Sequence, residues 1–272
     1  MSGTLTFANG ETTKTFTIPI MVDNRVAVPQ AVNLALSNPT GGASLGTQSQ
    51  AVLNIVDIDG TPNQRFITQI YRDLLGRDVD GPGFAGWTTL LNQGFSRTQV
   101  VQAIESSVEY HVRLVNEIYL QYLGRPADLN GMIMGLTILG NPQPAPGGAV
   151  NQLRSILLGS EEYFLVRGGG TVAGFTQALY QDVLNRGPDP VGTVGLEQFL
   201  ADGGTRQEAG RRYLITLEGD AALVSNLFNR YLHRQATPSE LPGFEFALLN
   251  GQIDELGATA IIVGSAEYFA HV

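Results

Sequence analysis

The sequence of 272 residues contains no cysteine, a single tryptophan and, apart from Lys14, no lysine. Without cysteine the chain can form neither a disulfide nor a thiolate zinc site. Charged residues make up only 15% of the chain and the formal net charge is −9, so no basic face for nucleic acid is expected. No apolar run approaches the roughly 20 residues that span a bilayer, which predicts no membrane insertion. Hydrophobic residues nevertheless reach 43%, which is typical of a folded protein with a core.

The first 60 residues have the alternating pattern of short β-strands. A turn signal at Asn9-Gly10 separates two alternating runs, which predicts a hairpin. Two further strands are predicted within residues 31–42 and 50–59. From Phe66 onward the apolar spacing becomes helical. We therefore predict a β domain over residues 1–60 and an α-helical domain over residues 64–272, with the boundary near Gly60–Asn63.

The helical part carries a motif that repeats an aromatic residue, a leucine, an arginine, an acidic residue and a glycine at fixed offsets. Its four arginines are separated by 48, 61 and 48 residues, and a Pro/Gly loop over residues 140–149 accounts for the longer interval. Such a period predicts stacked units with room for about three short helices each. The predicted units are residues 64–110, 111–163, 172–221 and 222–272.

The repeated motif has the composition of a connection between two helices. A glycine after the leucine suits the left-handed position that ends a helix, and the aspartate falls where the next helix needs an N-cap. The arginine can bond the free carbonyls of the first helix or pair with that aspartate. Threonine replaces aspartate in the fourth unit, and a metal site would not accept that change as easily as a cap would. The predicted joint residues are Arg77, Asp80, Arg125, Asp128, Arg186, Asp189, Arg234 and Thr237.

Three of the units also close alike, with a small residue, serine, a variable residue, glutamate and tyrosine. These closing motifs are residues 106–110, 159–163 and 264–268, whereas the third unit reads LEGDA from Leu217. We interpret the glutamate as a favourable charge near a helix start and the tyrosine as a buried ring with a wet hydroxyl. Two capping boxes are predicted, Ser96 with Gln99 and Thr205 with Glu208.

The repeated units resemble the bacterial repeat called domain of unknown function 4214. Its pattern runs aromatic, leucine, Gly-Arg, Pro-Asp, Gly and closes with Ser-x-Glu-Tyr, and the resemblance covers roughly residues 65–270 in four copies, the last two degenerate. The family occurs in large secreted and surface proteins, so the resemblance implies a bacterial protein outside the cell or at its surface. It has no established catalytic residues to carry over.

The β segment resembles the C-terminal half of a Calx-β domain, a calcium-binding sandwich of immunoglobulin-like fold. The resemblance rests on Gly10-Glu11-Thr12, Leu36-Ser37-Asn38-Pro39 and Asp57-Ile58-Asp59. It implies an incomplete antiparallel β-sandwich and a weak calcium site formed by Asp23, Asp57 and Asp59. The alternative is that these aspartates are solvated and no cofactor binds, because calcium needs about six to eight oxygen ligands and Ala27 and Gln30 stand where the family tends to carry glutamates.

These observations predict a mainly α fold, a helical repeat array with about three short helices per unit, preceded by the incomplete β-sandwich. We expect a non-enzymatic structural or adhesive protein, extracellular or at a bacterial cell surface, whose repeats serve assembly or interaction. Self-association or another protein partner through residues 1–60 is expected, because the apolar face of an open sheet must be buried. The first alternative is a glycan-binding module for cell-surface polysaccharide. The second is a secreted hydrolase, although the motifs supply no nucleophile with its base and orienting residue.

Overall fold

The computed structural model describes residues 3–19, 30–55, 60–141 and 147–272. The chain divides into two compact units, Met1–Thr61 and Pro62–Val272. In the described ranges the secondary structure is mainly helical, with one two-stranded antiparallel sheet near the N-terminus. The expected class, a helical array preceded by a small β piece, is therefore confirmed.

The sheet of the first unit pairs strand β1 (Gln30–Ala35) with strand β2 (Gln50–Ile55), and Val32 lies opposite Leu53. Residues 3–19 form the expected turn at Asn9-Gly10 but no strand, so the hairpin predicted there is wrong for these residues. Alternation alone does not form a ladder, because strand preference depends on neighbouring strands and a lone hairpin is only marginally stable.

The helices of the second unit fall into two halves with the same order of elements. The first half, residues 62–166, contains α1 (Pro62–Ile70, continued by a π-helical turn over Tyr71–Leu75), α2 (Gly81–Asn92), α3 (Arg97–Glu105), α4 (Val108–Leu123), α5 (Leu129–Gly140), α6 (Gly148–Gly159) and α7 (Glu161–Val166). The second half, residues 172–272, contains α8 (Val172–Leu184), α9 (Pro190–Ala201), α10 (Arg206–Leu214), α11 (Leu217–Leu232), α12 (Leu241–Leu249), α13 (Glu255–Val263) and α14 (Ala266–Ala270). Within the described ranges, no helix combines the length and apolarity required to cross a bilayer.

The two halves are related by a sequence repeat about twice as long as the spacing of neighbouring arginines. Arg77 and Arg186 lie 109 positions apart, and so do Arg125 and Arg234. Beyond the Pro/Gly loop the offset is 105 positions, because the second half has a shorter connection there. Each half therefore spans two of the predicted units, and its described residues form seven helices, one more than two sets of three.

The halves meet head to tail at two equivalent places. In what we call the middle seam, α6 and α7 pack against α10 and α8. In the closing seam, the equivalent helices α13 and α14 pack against α3 and α1. The end of the second half thus returns to the start of the first, and residues 62–272 form a closed two-part arrangement.

Tyrosine and phenylalanine anchor the middle seam. The ring of Tyr163, the tyrosine of a closing motif, meets the ring of Phe175 edge to face, with centroids 6.0 Å apart. Its hydroxyl donates to Asp182 Oδ2 at 2.8 Å. Both rings are fully buried, so this contact combines apolar burial with a satisfied polar group.

The closing seam repeats that contact with equivalent residues. Tyr268 meets Phe66 edge to face at 6.0 Å, and its hydroxyl donates to Asp73 Oδ2 at 2.5 Å. Arg97 stacks over Phe269 at 4.2 Å, just as Arg206 of the middle seam stacks over Phe164 at 4.3 Å. The two seams are therefore copies of one interface.

The seams explain why only two of the closing motifs begin with glycine. A Cβ on Gly159 would lie 2.6 Å from Gln207 Cα, and a Cβ on Gly264 would lie 2.8 Å from the backbone nitrogen of Thr98. Neither position can hold a larger side chain unless the backbones move apart. The motifs of the first and third units lie inside a half, and their first residue is not glycine.

Candidate functional site

The repeated motif forms a joint between consecutive helices at four places in the second unit. We call these joints one to four, residues 71–83, 119–131, 180–192 and 228–240. Each incoming helix ends at a residue in the left-handed conformation, which turns the chain toward the next helix. These residues are Gly76 (φ 69°), Gly124 (φ 68°), Asn185 (φ 56°) and His233 (φ 54°).

Aspartate caps the outgoing helix in the first three joints. Asp80, Asp128 and Asp189 each accept a hydrogen bond of 2.8 Å from the backbone N–H three residues later. The bond from that N–H and the bond from the joint's arginine hold the pKa of Asp80 and of Asp189 below its ordinary value. A capping role satisfies donors that a helix start leaves free.

A bidentate ion pair ties each joint's arginine to the closing motif of the same unit. The pairs are Arg77–Glu109, Arg125–Glu162, Arg186–Glu218 and Arg234–Glu267. In the second joint, Nε and Nη2 of the arginine each lie 2.6 Å from a carboxylate oxygen. Hydrogen bonding to arginine lowers the pKa of all four glutamates. Each pair therefore connects the joint to the first turn of a later helix, which is α4 for Glu109, α7 for Glu162, α11 for Glu218 and α14 for Glu267.

Sequence reasoning missed this pairing, because it assigned the glutamate to the helix dipole. Two signals were available. The arginine and the glutamate are 32 residues apart in both the first and third units. Glu218 also persists in the third unit, where the tyrosine of the closing motif is lost.

The same arginines stack on the aromatic residue that opens the joint. The guanidinium carbon lies 5.1 Å from the ring centre of Tyr71 in joint one and 4.9 Å from that of Phe228 in joint four. The arginines also reach the neighbouring aspartate in the first three joints, at 3.1, 3.5 and 3.1 Å. Their bond to a carbonyl goes to the residue that follows them, and not to the last turn of the incoming helix as one alternative expected.

In the first three joints, the tyrosine that opens the joint contacts the glycine that closes it. A Cβ on Gly83 would lie 2.5 Å from the hydroxyl oxygen of Tyr71, and equivalent clashes arise at Gly131 and Gly192. In joint one that hydroxyl also accepts a hydrogen bond of 2.8 Å from Trp87 Nε1. The lone tryptophan is thus part of the packing around the joint.

The fourth joint connects its two helices with a different set of residues. Helix α12 begins at Leu241 and Glu240 occupies its N-cap position, so the cap expected from Thr237 is not formed. The Thr237 hydroxyl and backbone N–H instead donate to Glu240, at 2.8 and 2.7 Å. Glu240 stands where the other joints have glycine, and the aromatic residue there is Phe228, which has no hydroxyl. Hydrogen bonding to Arg234 lowers the pKa of Glu240 to about 2.

A second group of polar residues is buried where the halves meet. Arg154 of α6 forms a bidentate pair with Glu255 of α13, and its Nη2 lies 2.9 Å from Oε1. Nearby Glu105 is 2% exposed, and neither of its carboxylate oxygens has a hydrogen-bond partner in the described protein. Burial, together with the negative charges of Asp254 and Glu255, raises the pKa of Glu105 to about 9. The side chain is therefore uncharged at neutral pH.

The residues named for calcium cannot be placed. Asp23, Asp57 and Asp59 lie outside the described residues. Among the residues that are described, no three His, Asp or Glu side chains come together in a group able to hold a metal ion.

Comparison with known proteins adds one finding. No curated protein and no solved structure matches the chain. The chain carries, at residues 57–114, a match to the family described as domain of unknown function (DUF4214), a segment that includes joint one and the Arg77–Glu109 pair.

Proposed function

We propose that the chain is a non-enzymatic structural or adhesive module of a secreted or cell-surface bacterial protein. One observation carries this proposal: the arginines of the repeated motif bond to carboxylates of the same protein at all four joints. A motif used four times to hold helices together supports a scaffold role rather than chemistry on a ligand. The family matched at residues 57–114 has no known function and specifies no role.

Its partner surface is proposed to lie in residues 1–60. Large apolar side chains of that unit are exposed, among them Phe7 at 52%, Phe16 at 57% and Val52 at 59%. Apolar residues exposed in this number favour a protein contact, and a second copy of the chain is the partner we propose. A Calx-β-like sandwich with calcium at Asp23, Asp57 and Asp59 remains part of the proposal.

A binding assay on the intact chain tests the adhesive role. Immobilised protein is probed with soluble wild-type protein and with the variants Phe16→Asp and Val52→Asp. We expect the wild type to bind and both variants to lose binding. The control Phe95→Asp alters a phenylalanine of the helical unit that is 48% exposed, and it should bind normally. Absence of wild-type binding, or equal binding by every variant, would overturn the proposed surface.

The location requires a separate measurement. A bacterium that expresses the chain is labelled with antibody before and after permeabilisation. The proposal expects labelling of intact cells or recovery from the medium. Labelling that appears only after permeabilisation contradicts a surface or secreted role.

A glycan-binding role is the second candidate, and a cleft in the third unit favours it. The cleft, of about 230 Å³, lies between α9 and α10 and is lined by Leu196, Phe199, Arg212 and Tyr213, among others. The Arg212 guanidinium lies 4.0 Å from the Phe199 ring centre, so an exposed cation lies beside a partly buried aromatic ring. Leu196 occupies the place that Trp87 takes in the first unit, ten residues after the joint's arginine.

A glycan array distinguishes this candidate from the adhesive one. The intact chain should retain an acidic glycan, because the cleft offers a cation beside an aromatic surface. Phe199→Ala and Arg212→Ala should abolish the signal, whereas Phe246→Ala, at an exposed position of α12, should not. An empty array for the wild type removes this candidate.

A further inference from the structure

Both seams join the first half of the helical unit to the second half, and both use equivalent residues. We infer that two copies of the chain can exchange halves once the closing seam opens, so that the first half of each copy forms both seams with the second half of the other. The partner is a second copy of this chain, and the surface consists of the seams themselves. This inference concerns residues 62–272 and does not depend on the adhesive role of residues 1–60.

Exchange would recreate the seam contacts between copies without a new interface. Tyr163 and Asp182 belong to different halves, and so do Tyr268 and Asp73. Other polar contacts also join residues of different halves. Arg154 in the first half pairs with Glu255 in the second. An element that is exchanged between identical chains keeps its native contacts, so such dimers form at a low cost in free energy.

Glu117 of α4 and Arg230 of α11 form a further pair between the halves. Their oxygen and nitrogen atoms lie 3.1 and 3.2 Å apart in two hydrogen bonds. Both side chains are partly exposed, at 33% and 44%, so they can be altered without burying an unpaired charge. Arg113 also bonds Glu117, at 2.7 Å.

The covalent link between the halves has the composition of a hinge. Five residues, 167–171, connect the end of α7 to the start of α8, and three of them are glycine. Gly169 and Gly170 have φ of 58° and 70°, and glycine reaches other conformations at little steric cost. Fully extended, five residues span at most about 17 Å. Opening the hinge breaks local bonds such as Gly170 N–H to the Phe164 carbonyl, at 3.0 Å.

The closing seam is the weaker of the two seams. At the middle seam, Arg206 Nη2 pairs with Glu161 Oε2 at 2.5 Å. The residue equivalent to Glu161 in the second half is Ala266, which has no charge to offer Arg97. The closing seam also lacks a covalent link. The halves therefore separate first at the closing seam. The hinge then determines whether that seam forms again within the same copy or with the other half of a second copy.

A charge-exchange experiment on the intact chain tests the inference. Two variants are made, Glu117→Arg and Arg230→Glu, each of which places like charges opposite each other within one copy. In a half-exchanged heterodimer, one body contains both substituted side chains, which pair with their charges reversed. The other body contains the native pair, so exchange removes the facing like charges from both bodies, and only the bond of Arg113 to Glu117 is lost, from the first. The two variants are mixed, taken briefly to the midpoint of urea unfolding and returned to buffer. Mass is then measured by light scattering after size exclusion.

We expect the mixture to yield a species of twice the monomer mass and a melting temperature above that of either variant alone. All the proteins compared also carry Phe16→Asp and Val52→Asp, which remove the association proposed for residues 1–60, so a doubled mass reports the exchange of halves alone. The double variant Glu117→Arg/Arg230→Glu in a single chain is the control for tolerance of the reversed pair. If the double variant folds and the mixture keeps the mass and melting temperature of the separate variants, the inference is wrong.

Discussion

At the residue scale, the joints show that two positions twelve residues apart constrain each other. Tyrosine with glycine occupies the ends of the first three joints, and phenylalanine with glutamate occupies the ends of the fourth. The reason is steric, because the tyrosine hydroxyl lies in the space that a Cβ on the glycine would occupy. The fourth joint has neither group and can place a carboxylate there.

Gly83→Ala should therefore destabilise the protein mainly through the Tyr71 hydroxyl. We expect a loss of roughly 1–3 kcal/mol in the free energy of unfolding, the usual cost of overpacking. In a Tyr71→Phe background the loss should shrink, because the nearest remaining ring atom lies 3.2 Å away. Tyr71→Phe alone measures the cost of the lost Trp87 hydrogen bond. Urea unfolding of the four proteins gives the coupling, and equal losses in both backgrounds would contradict the steric explanation.

Asp80 is expected to act as a helix cap and not as a metal ligand. Asp80→Ala should lower the melting temperature by about 2–4 °C, because the backbone N–H of Gly83 loses its acceptor. Asp80→Asn should cost less, since asparagine caps helices as well as aspartate does. Calorimetry with and without added calcium decides the matter. A metal site would be indicated if asparagine were as damaging as alanine and calcium stabilised only the wild type.

At the element scale, the equivalence of the seams makes a test of symmetry possible. Ala266→Glu should provide Arg97 with the partner that Glu161 provides for Arg206 in the middle seam. We expect a gain of about 0.2–1 kcal/mol in stability, the range for partly exposed ion pairs. Glu161→Ala should cost a similar amount, and chemical denaturation measures both. No gain from Ala266→Glu, combined with a clear loss from Glu161→Ala, would show that the seams are less alike than their contacts suggest.

At the scale of the whole molecule, Glu105 links stability to pH because it is buried between the halves. Its pKa is raised from an ordinary 4.5 to about 9, so the folded state holds a proton that the unfolded state releases. Its contribution is complete below about pH 4.5 and is lost as pH rises toward 9. The glutamates paired with arginine change the stability with pH in the opposite direction. Their pKa is lowered, so their contribution is present above their ordinary pKa and is lost as pH falls.

Glu105→Gln removes this dependence, because glutamine stays neutral in both states. We expect the variant to gain stability relative to the wild type at pH 8 but not at pH 4, with a difference on the order of 5 kcal/mol. Glu109→Gln is the matched control and should lose its effect at pH 3. Urea unfolding across this pH range provides the measurement. A pH-independent difference between Glu105→Gln and the wild type would mean that Glu105 is not held in its neutral form.

The helical unit is also expected to fold without residues 1–60. Deleting residues 1–60 should leave a folded, helical protein that stays monomeric at micromolar concentration unless its seams are first opened with urea, whereas the intact chain should associate without such treatment. Circular dichroism and light scattering measure these two properties. A monomeric intact chain at tens of micromolar concentration would contradict self-association through residues 1–60.

The sequence by itself determined the elements and the local chemistry of the joints. Helical spacing from Phe66 onward, the arginine period, the capping boxes at Ser96 and Thr205 and the aspartate caps all depend on neighbours within a few residues of the chain. Such local rules are read from one stretch at a time. They failed at Thr237, where a glutamate three residues later competed for the threonine's donors.

Only the tertiary structure decided which distant groups meet. The arginine–glutamate pairs join residues 32 to 37 positions apart, and the Tyr268–Asp73 bond joins residues 195 positions apart. The glycines of the second and fourth closing motifs are required because backbones of opposite halves touch there. Glu105 lies among acidic groups of α13, which the order of the chain places far away. Packing of the helices within each half brings the arginine–glutamate pairs together. Closure of the two halves does the same for the other groups, because apolar burial along the seams fixes their positions.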